Sequence, residues 1–217
     1  MPTPADVIAA VQAGDAAKIR TLLQGDPSLA AAKDANGVSA LMFAFYYRRS
    51  EIADLFLATK TDLDIFEATA ADKPEKVSEI LKRDPDAAKR WSADGFTALH
   101  FAAFFNRPEI AEILLKCKAE PSAVAKNPMK VTPLHSAAAA HSGRIVRLLL
   151  ENGAAPNARQ EGGWTPLHEA AQIGDMEMVK SLLDHGSDPH AKNDDGSTPA
   201  DMAQAKGYAD IVELLST

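Results

Sequence analysis

The sequence predicts an all-α array of about seven short helix pairs, joined by short hairpin-like connections. Two observations predict it: a four-residue motif recurs every 33 to 35 residues, and an apolar block with helical spacing follows each copy. A fixed period of this length is typical of stacked repeat units. The motif copies at this spacing are "TALH" at 97, "TPLH" at 132, "TPLH" at 165 and "TPAD" at 198, and "SALM" at 39 is a fainter relative of the motif.

The first half of the chain contains a longer repeat. Residues 5–57 align with residues 63–115 at a constant offset of 58 without a gap, and 19 of the 53 aligned pairs are identical. This pattern indicates that two units were copied together. The chain is therefore predicted to be a single domain, 1–217, with units that start near residues 5, 39, 63, 97, 132, 165 and 198.

The sixth unit shows how each helix is specified. Thr165 stands at a helix N-cap, and Pro166 follows at the first helical position, where the missing N–H costs nothing. Leu167, Ala170 and Ala171 share one face by i, i+3, i+4 spacing. The small alanines allow a neighbouring helix to approach closely, so this face is predicted to pack inward.

Three stretches carry a resemblance to ankyrin repeats: "DGFTALHFAA", "GGWTPLHEAAQIGDMEMVKSLLDHGSDP" and "DGSTPADMAQAKGYADIVELL". The resemblance covers nearly the whole chain. It implies an L-shaped stack in which first helices and hairpin tips form a concave groove, and second helices form the convex back. It also implies a C-terminal cap with Asp201 where the family has His, and an N-terminal cap at residues 5–24 that lacks the Thr-Pro start.

The sequence departs from the family pattern at three places. Only 24 residues separate Ser39 from Leu63, which is too short for the usual hairpin, so one hairpin is predicted to be missing. Residues 122–132 are two residues longer than their counterpart and lack the turn glycine, which predicts a different shape. The "DPxxA" connections at 26–36 and 84–94 are predicted to form larger loops.

Aromatic residues occupy positions that face the groove in the ankyrin pattern. Large rings bring contact area at low entropic cost and dominate many interfaces, so this cluster is interpreted as a partner site. The alternative is that these rings fill the space left by the missing hairpin. The predicted partner-binding residues are Tyr46, Tyr47, Phe96, Phe104, Phe105, Trp164 and Ile173.

Charge and composition narrow the class of partner. A formal net charge of -7 and the absence of a basic run argue against nucleic acid, and no apolar run of membrane-spanning length occurs. The single cysteine excludes an internal disulfide, so the protein is predicted to be soluble and cytoplasmic. Its predicted partner is another protein. A homodimer through the aromatic patch is the second possibility. Four basic residues lie close together in the sequence, and an acidic partner is therefore a further possibility: Lys126, Lys130, Arg144 and Arg147.

No catalytic, metal or cofactor site is predicted. His100, His135 and His168 occupy the motif position where, by the ankyrin resemblance, a histidine bonds to backbone and holds a turn. The other three histidines lack the spacing of a metal site, and Cys117 has no assignable base. An enzyme built on this scaffold is the third possibility, because a fold alone never excludes catalysis.

Overall fold

The computed structural model describes residues 2–216, and this part of the chain is all helical, as predicted. Three short 3-10 helices lie between the α-helices, at Pro27–Ala31, Pro85–Lys89 and Glu161–Gly163. The α-helices are α1 Pro4–Ala13, α2 Ala16–Gly25, α3 Ala40–Tyr46, α4 Ser50–Thr59, α5 Ile65–Ala70, α6 Pro74–Arg83, α7 Ala98–Phe104, α8 Pro108–Lys116, α9 Pro133–Ala139, α10 Gly143–Glu151, α11 Pro166–Ile173, α12 Met176–Asp184, α13 Pro199–Lys206 and α14 Ala209–Leu215.

The helices form two layers. Each odd-numbered helix packs against the even-numbered helix that follows it, and also against the odd-numbered helices beside it. The paired alanines make this spacing possible: Ala102 and Ala103 of α7, and Ala137 and Ala138 of α9, are completely buried. Small side chains at the contact let neighbouring helices approach closely, so the odd-numbered helices pack side by side along the stack.

The first unit starts with Thr-Pro, so the prediction that it lacks this start is wrong. Thr3 is the N-cap of α1 and Pro4 its first residue, while the Asp6 carboxylate accepts bonds from the Thr3 N–H and hydroxyl at 2.8 and 2.7 Å. Thr198 and Asp201 repeat the arrangement at α13. An N-cap of this kind contributes about 1 kcal/mol. The identical "TPAD" at 3 and 198 is the sequence signal.

Hairpin loops, here called fingers, precede five of the first helices within the described residues. Each finger is closed by a backbone hydrogen bond from its first to its last residue, at 2.7–3.0 Å. Adjacent fingers also bond to each other: the Lys126 N–H donates to the Gly95 carbonyl at 2.8 Å, and the Glu161 N–H donates to the Met129 carbonyl at 2.9 Å. The fingers are residues 34–38, 92–96, 125–131, 160–164 and 193–197.

Finger 125–131 differs in shape from the others, as predicted from its length and missing glycine. Its closing bond runs from the Ala125 N–H to the Val131 carbonyl at 2.8 Å and encloses two more residues than the other fingers do. Lys130 takes a left-handed backbone conformation, with φ of 52°. This conformation is unfavourable for a residue with a Cβ, so the finger carries strain that a glycine would remove.

The predicted missing finger is confirmed, because α4 ends at Thr59 and α5 starts at Ile65 with only residues 60–64 between them. The buried core divides at this junction into one cluster from α1 to α4 and another from α5 to α14. Leu63 packs against both clusters. The Lys60 ammonium also crosses the junction and lies 2.6 and 2.7 Å from the two carboxylate oxygens of buried Glu67.

The two "DPxxA" connections are ordered rather than open loops. Pro27–Ala31 and Pro85–Lys89 form 3-10 helices at corresponding positions of the two copies. Asp26 supports the first one, because its carboxylate accepts a hydrogen bond from the Ser28 N–H at 3.0 Å. Proline at the first position fixes a helical φ that starts each 3-10 helix, and the buried Leu29 and Ala88 pack the two connections onto the stack.

Candidate functional site

Aromatic rings gather beside the unit that lacks a finger, and a cavity of about 240 Å³ remains between fingers 34–38 and 92–96. Phe101, at 3% exposure, lies at the centre, and the centroids of Phe66, Phe96, Tyr46 and Phe105 lie 5.6 to 6.3 Å from its ring. Aromatic pairs at such distances contribute about 0.5–1.5 kcal/mol each beyond their buried area. These five rings, here called the aromatic cluster, join the two parts of the core.

Tyr46 links α3 to the finger that precedes α7. Its hydroxyl donates a hydrogen bond to the Asp94 carboxylate, which also accepts a bond from the Ser92 hydroxyl. Burial, and then this bond, raises the pKa of Tyr46 well above its usual range, so the phenol stays protonated. The contact joins residues 48 positions apart and spans the unit that has no finger.

An apolar cavity of about 460 Å³ opens beside the aromatic cluster, between α7, α9 and the fingers in front of them. This volume falls within the range of about 300–1,000 Å³ that is usual for ligand pockets. We call it the aromatic cavity. Its lining residues are Tyr46, Asp94, Phe96, His100, Phe101, Phe104, Met129, Val131, His135, Ser136, Ala139 and Gln160.

Three of the seven predicted partner-binding residues line this cavity: Tyr46, Phe96 and Phe104. Tyr46 and Phe96 are half-buried, because they also belong to the aromatic cluster. Phe104 is 50% exposed, so its ring stands at the edge of the cavity and is accessible from solvent. The three cavity residues therefore differ in exposure: Tyr46 and Phe96 are partly covered by neighbouring rings, whereas half of Phe104 is open to solvent.

The other four predicted residues lie outside the cavity lining. Tyr47 is 46% exposed, and its ring stacks on Phe43 at 6.1 Å. Phe105 is half-buried in the aromatic cluster, Trp164 is half-buried in its finger, and Ile173 packs against the larger core cluster. These residues are spread along the stack rather than gathered at one site.

The predicted partner-binding set does not include the opposite wall of the cavity. Met129, Val131, Ala139 and Gln160 come from the next two units and face the rings of α7. Met129 is 47% exposed, at the tip of the finger whose unusual length was visible in the sequence. The irregular length predicted a different shape for this finger, but it did not identify Met129 as a cavity residue.

The motif histidines have a structural role. His100 Nδ1 accepts bonds from the Thr97 N–H at 3.2 Å and from its hydroxyl at 2.8 Å, so Nε2 carries the proton and donates to the Val131 carbonyl at 3.1 Å. Each such histidine therefore holds the next finger in place. His135 and His168 repeat the pattern with the carbonyls of Trp164 and Ser197.

Burial keeps these histidines neutral. The loss of hydration lowers the pKa of His100 and of His135 to about 4, and it also lowers the pKa of His168. His100 and His135 line the aromatic cavity. At neutral pH they therefore add no positive charge to its wall.

The four basic residues noted in the sequence do not form one patch at the cavity. The Lys126 ammonium lies 4.5 Å from the centroid of the Trp91 ring. Arg144 and Arg147 lie on α10 and share a small surface pocket with Glu112 and Glu151. Lys130 is exposed beside Met129.

Within residues 2–216, no group of three or more His, Cys, Asp or Glu side chains is arranged to hold a metal ion. No helix in this range is both long and apolar enough to cross a membrane.

A family model for ankyrin repeats, in three copies, matches residues 65–160 and 134–217. The chain belongs to the ankyrin-repeat family. Ankyrin repeats generally mediate protein–protein interaction, and the family is typically non-enzymatic. The ankyrin histidine position thus corresponds to His100, His135 and His168, with the bonds described above.

One curated relative is the glycerophosphocholine phosphodiesterase gde1 of Schizosaccharomyces pombe (strain 972 / ATCC 24843). It is 40% identical to this chain over 74 residues, which are 34% of the chain and 6% of the relative. The similarity is confined to the ankyrin region, and so small a share of the relative does not assign its activity to this protein.

Proposed function

We propose that the protein is a binding module that recognises another protein through the concave groove of its ankyrin stack. The observation that supports this most directly is the aromatic cavity, which is preformed, apolar and bordered by the half-exposed Phe104. Exposed apolar surface of this kind marks interaction sites in soluble proteins. The proposal assigns no catalytic residue, cofactor or metal, and it places the protein in the cytoplasm, away from nucleic acid and membrane.

The mechanism in this proposal is rigid preorganisation. Phe101 is held by four neighbouring rings, and Tyr46 is held by its bond to Asp94. A surface that is already ordered loses little conformational entropy when a partner docks.

We also infer that the helices form seven pairs and that two pairs were duplicated, since α3 (Ala40–Tyr46) and α7 (Ala98–Phe104) have bounds that recur at the offset of 58.

Affinity capture from host lysate tests the proposal with matched variants. Phe104→Ser removes an exposed ring at the cavity, whereas Val124→Ser removes a similarly exposed apolar side chain, at 51%, that does not line it. We expect Val124→Ser to retain the same proteins as the natural chain and Phe104→Ser to lose them. Equal retention by all three forms would refute the proposed groove.

The second candidate is a homodimer through the same patch, favoured by the exposed rings of Tyr47 and Phe104. Light scattering over a dilution series separates the two candidates. A monomer at every concentration removes the homodimer. If the natural chain forms a tight dimer and Phe104→Ser dissociates it, the homodimer is favoured over the first proposal.

A further inference from the structure

The backbone bonds between neighbouring fingers stop where a finger is missing. From finger 92–96 onward, each pair of adjacent fingers is joined by a backbone hydrogen bond of 2.8–2.9 Å. Fingers 34–38 and 92–96 are both fully described, and no backbone hydrogen bond joins them. Their tips are only in van der Waals contact, since a Cβ placed on Gly37 would lie 3.4 Å from the Ala93 Cβ. The first finger is therefore not tied to the next.

The bonds from the motif histidines stop at the same place. At the histidine position α3 has Met42 and α5 has Glu67. Met42 has no N–H to donate, and the Glu67 carboxylate accepts its bonds from the start of its own helix and from Lys60. Finger 92–96 is held instead by the Tyr46 hydroxyl, which reaches Asp94 from α3.

The packing is also divided at this junction. Residues 2–59, here called the N-terminal block, contain one of the two large core clusters, and residues 60–64 connect it to the other. A second cavity, of about 620 Å³, lies beside this connection, on residues from both sides of it. The Lys60–Glu67 ion pair joins groups only seven positions apart, so it fixes the connection rather than the distant fingers.

We propose that the N-terminal block opens away from the rest of the stack as one unit, with residues 60–64 as the hinge and the Tyr46–Asp94 hydrogen bond as the latch. A repeat array separates most readily at the interface with the weakest contacts. Tyr46 is the one residue of the aromatic cavity's lining that the N-terminal block supplies. Opening therefore removes a wall of the cavity and uncovers the buried ring of Phe101.

The junction between α7 and α9 shows what the hinge lacks. There, His100 bonds to the next finger at 3.1 Å, a backbone bond of 2.8 Å joins the two fingers, and paired alanines pack the helices closely. Across the hinge, the fingers are connected by the latch and by ring contacts. A hydrogen bond to a charged group changes such an equilibrium by about 10- to 100-fold. The latch is therefore large enough to control how often the block opens.

Native-state hydrogen exchange of the full chain, measured by mass spectrometry, tests the opening. We expect the buried amides of α1 to α4 to share one protection factor, lower than that of α9 to α12. Tyr46→Phe keeps the ring but removes the latch, so exchange in α1 to α4 should rise about 10- to 100-fold and exchange in α9 to α12 should not change. Tyr47→Phe is the control, because the Tyr47 hydroxyl forms no hydrogen bond within residues 2–216.

Thiol labelling tests whether the same opening uncovers the aromatic cluster. Ala70 and Ala138 are both completely buried, but Ala70 packs in the contact between α3 and α7, whereas Ala138 lies in α9. In a Cys117→Ser background, Ala70→Cys should react with a thiol reagent faster than Ala138→Cys. Adding Tyr46→Phe should accelerate labelling at position 70 about 10- to 100-fold and leave labelling at position 138 unchanged.

Each alternative has its own result. Protection that is lowest in α1 and rises gradually to α4 indicates fraying from the chain end, and equal protection throughout indicates that the chain opens only as a whole; either overturns the inference. So does a Tyr46→Phe variant that behaves like Tyr47→Phe, or that speeds exchange equally everywhere. Hydrogen exchange needs no introduced cysteine, so it decides the matter even if Ala70→Cys does not fold. The proposed binding function is tested separately, by capture with Phe104→Ser, and neither result determines the other.

Discussion

Lowering the pH from 8 to 5 is expected to destabilise the fold, because two buried histidines must stay neutral to hold their fingers. Burial lowers the pKa of His100 and of His135 to about 4, from an ordinary value of 6.5. Below pH 6.5 the unfolded chain therefore binds protons that the folded chain does not. Stability from this source is fully present above pH 6.5 and is lost as the pH falls towards about 4.

The size of the expected stability loss depends on how far the pH lies below 6.5. Each pH unit below 6.5 costs about 1.4 kcal/mol per histidine, so at pH 5 the loss is about 2 kcal/mol for each and about 4 kcal/mol for the pair. Burial raises the pKa of Asp64 and of Glu169, which opposes this trend, so a variant with fewer motif histidines supplies the baseline.

Urea unfolding followed by circular dichroism at several pH values measures the loss. His135→Gln should be less stable at pH 8 but should lose about 2 kcal/mol less stability than the natural chain between pH 8 and 5, since one of the two histidines no longer titrates. An NMR titration of the imidazole rings gives the pKa values directly. A free energy of unfolding that is flat over this range, or a His100 ring that titrates near pH 6.5, would refute the reasoning.

Two further predictions concern backbone space and a buried charge. Gly95→Ala should lower the free energy of unfolding by about 2–4 kcal/mol, because φ is +84° and the new Cβ would lie 2.7 Å from the Lys126 carbonyl oxygen. Gly196→Ala is the control, because φ is +80° there but the space around the new Cβ is open, and it should lower the free energy of unfolding by about 1 kcal/mol. Equal losses in urea unfolding would contradict the finger contact. Lys60→Met should cost about 3–5 kcal/mol, because it leaves the Glu67 carboxylate buried without its cation. Adding Glu67→Gln should recover part of that loss, and no loss in thermal unfolding of the single variant would show that the ion pair is unimportant.

The regular part of the fold was predictable because its signals are short-range. Thr165 and Pro166 mark a helix start within two residues, and the structure begins α11 at Pro166. Leu167, Ala170 and Ala171 mark a buried face within one turn, and all three are completely buried. Such caps and periodic faces act through bonds and contacts within about four residues, so the order of residues specifies them directly.

The candidate site was predictable only in part. Phe104 was expected at the groove and stands at the edge of the aromatic cavity, whereas Tyr47 was expected there and does not line it. The ankyrin resemblance places both residues at the pair of positions that faces the groove, so the sequence pattern treats them alike. Their different surroundings depend on which units lie beside them, which the pattern of one helix does not contain.

The amino-acid order alone sets the repeat period, the all-α class, the helix starts and the absence of a finger before α5, because these depend on near neighbours and on connection length. Only the tertiary structure places Tyr46 against Asp94, packs four rings around Phe101, and opens the cavity towards Met129. These contacts join groups far apart in the chain. They depend on how neighbouring units stack, and the large rings gain dispersion and hydrophobic energy by packing on one another.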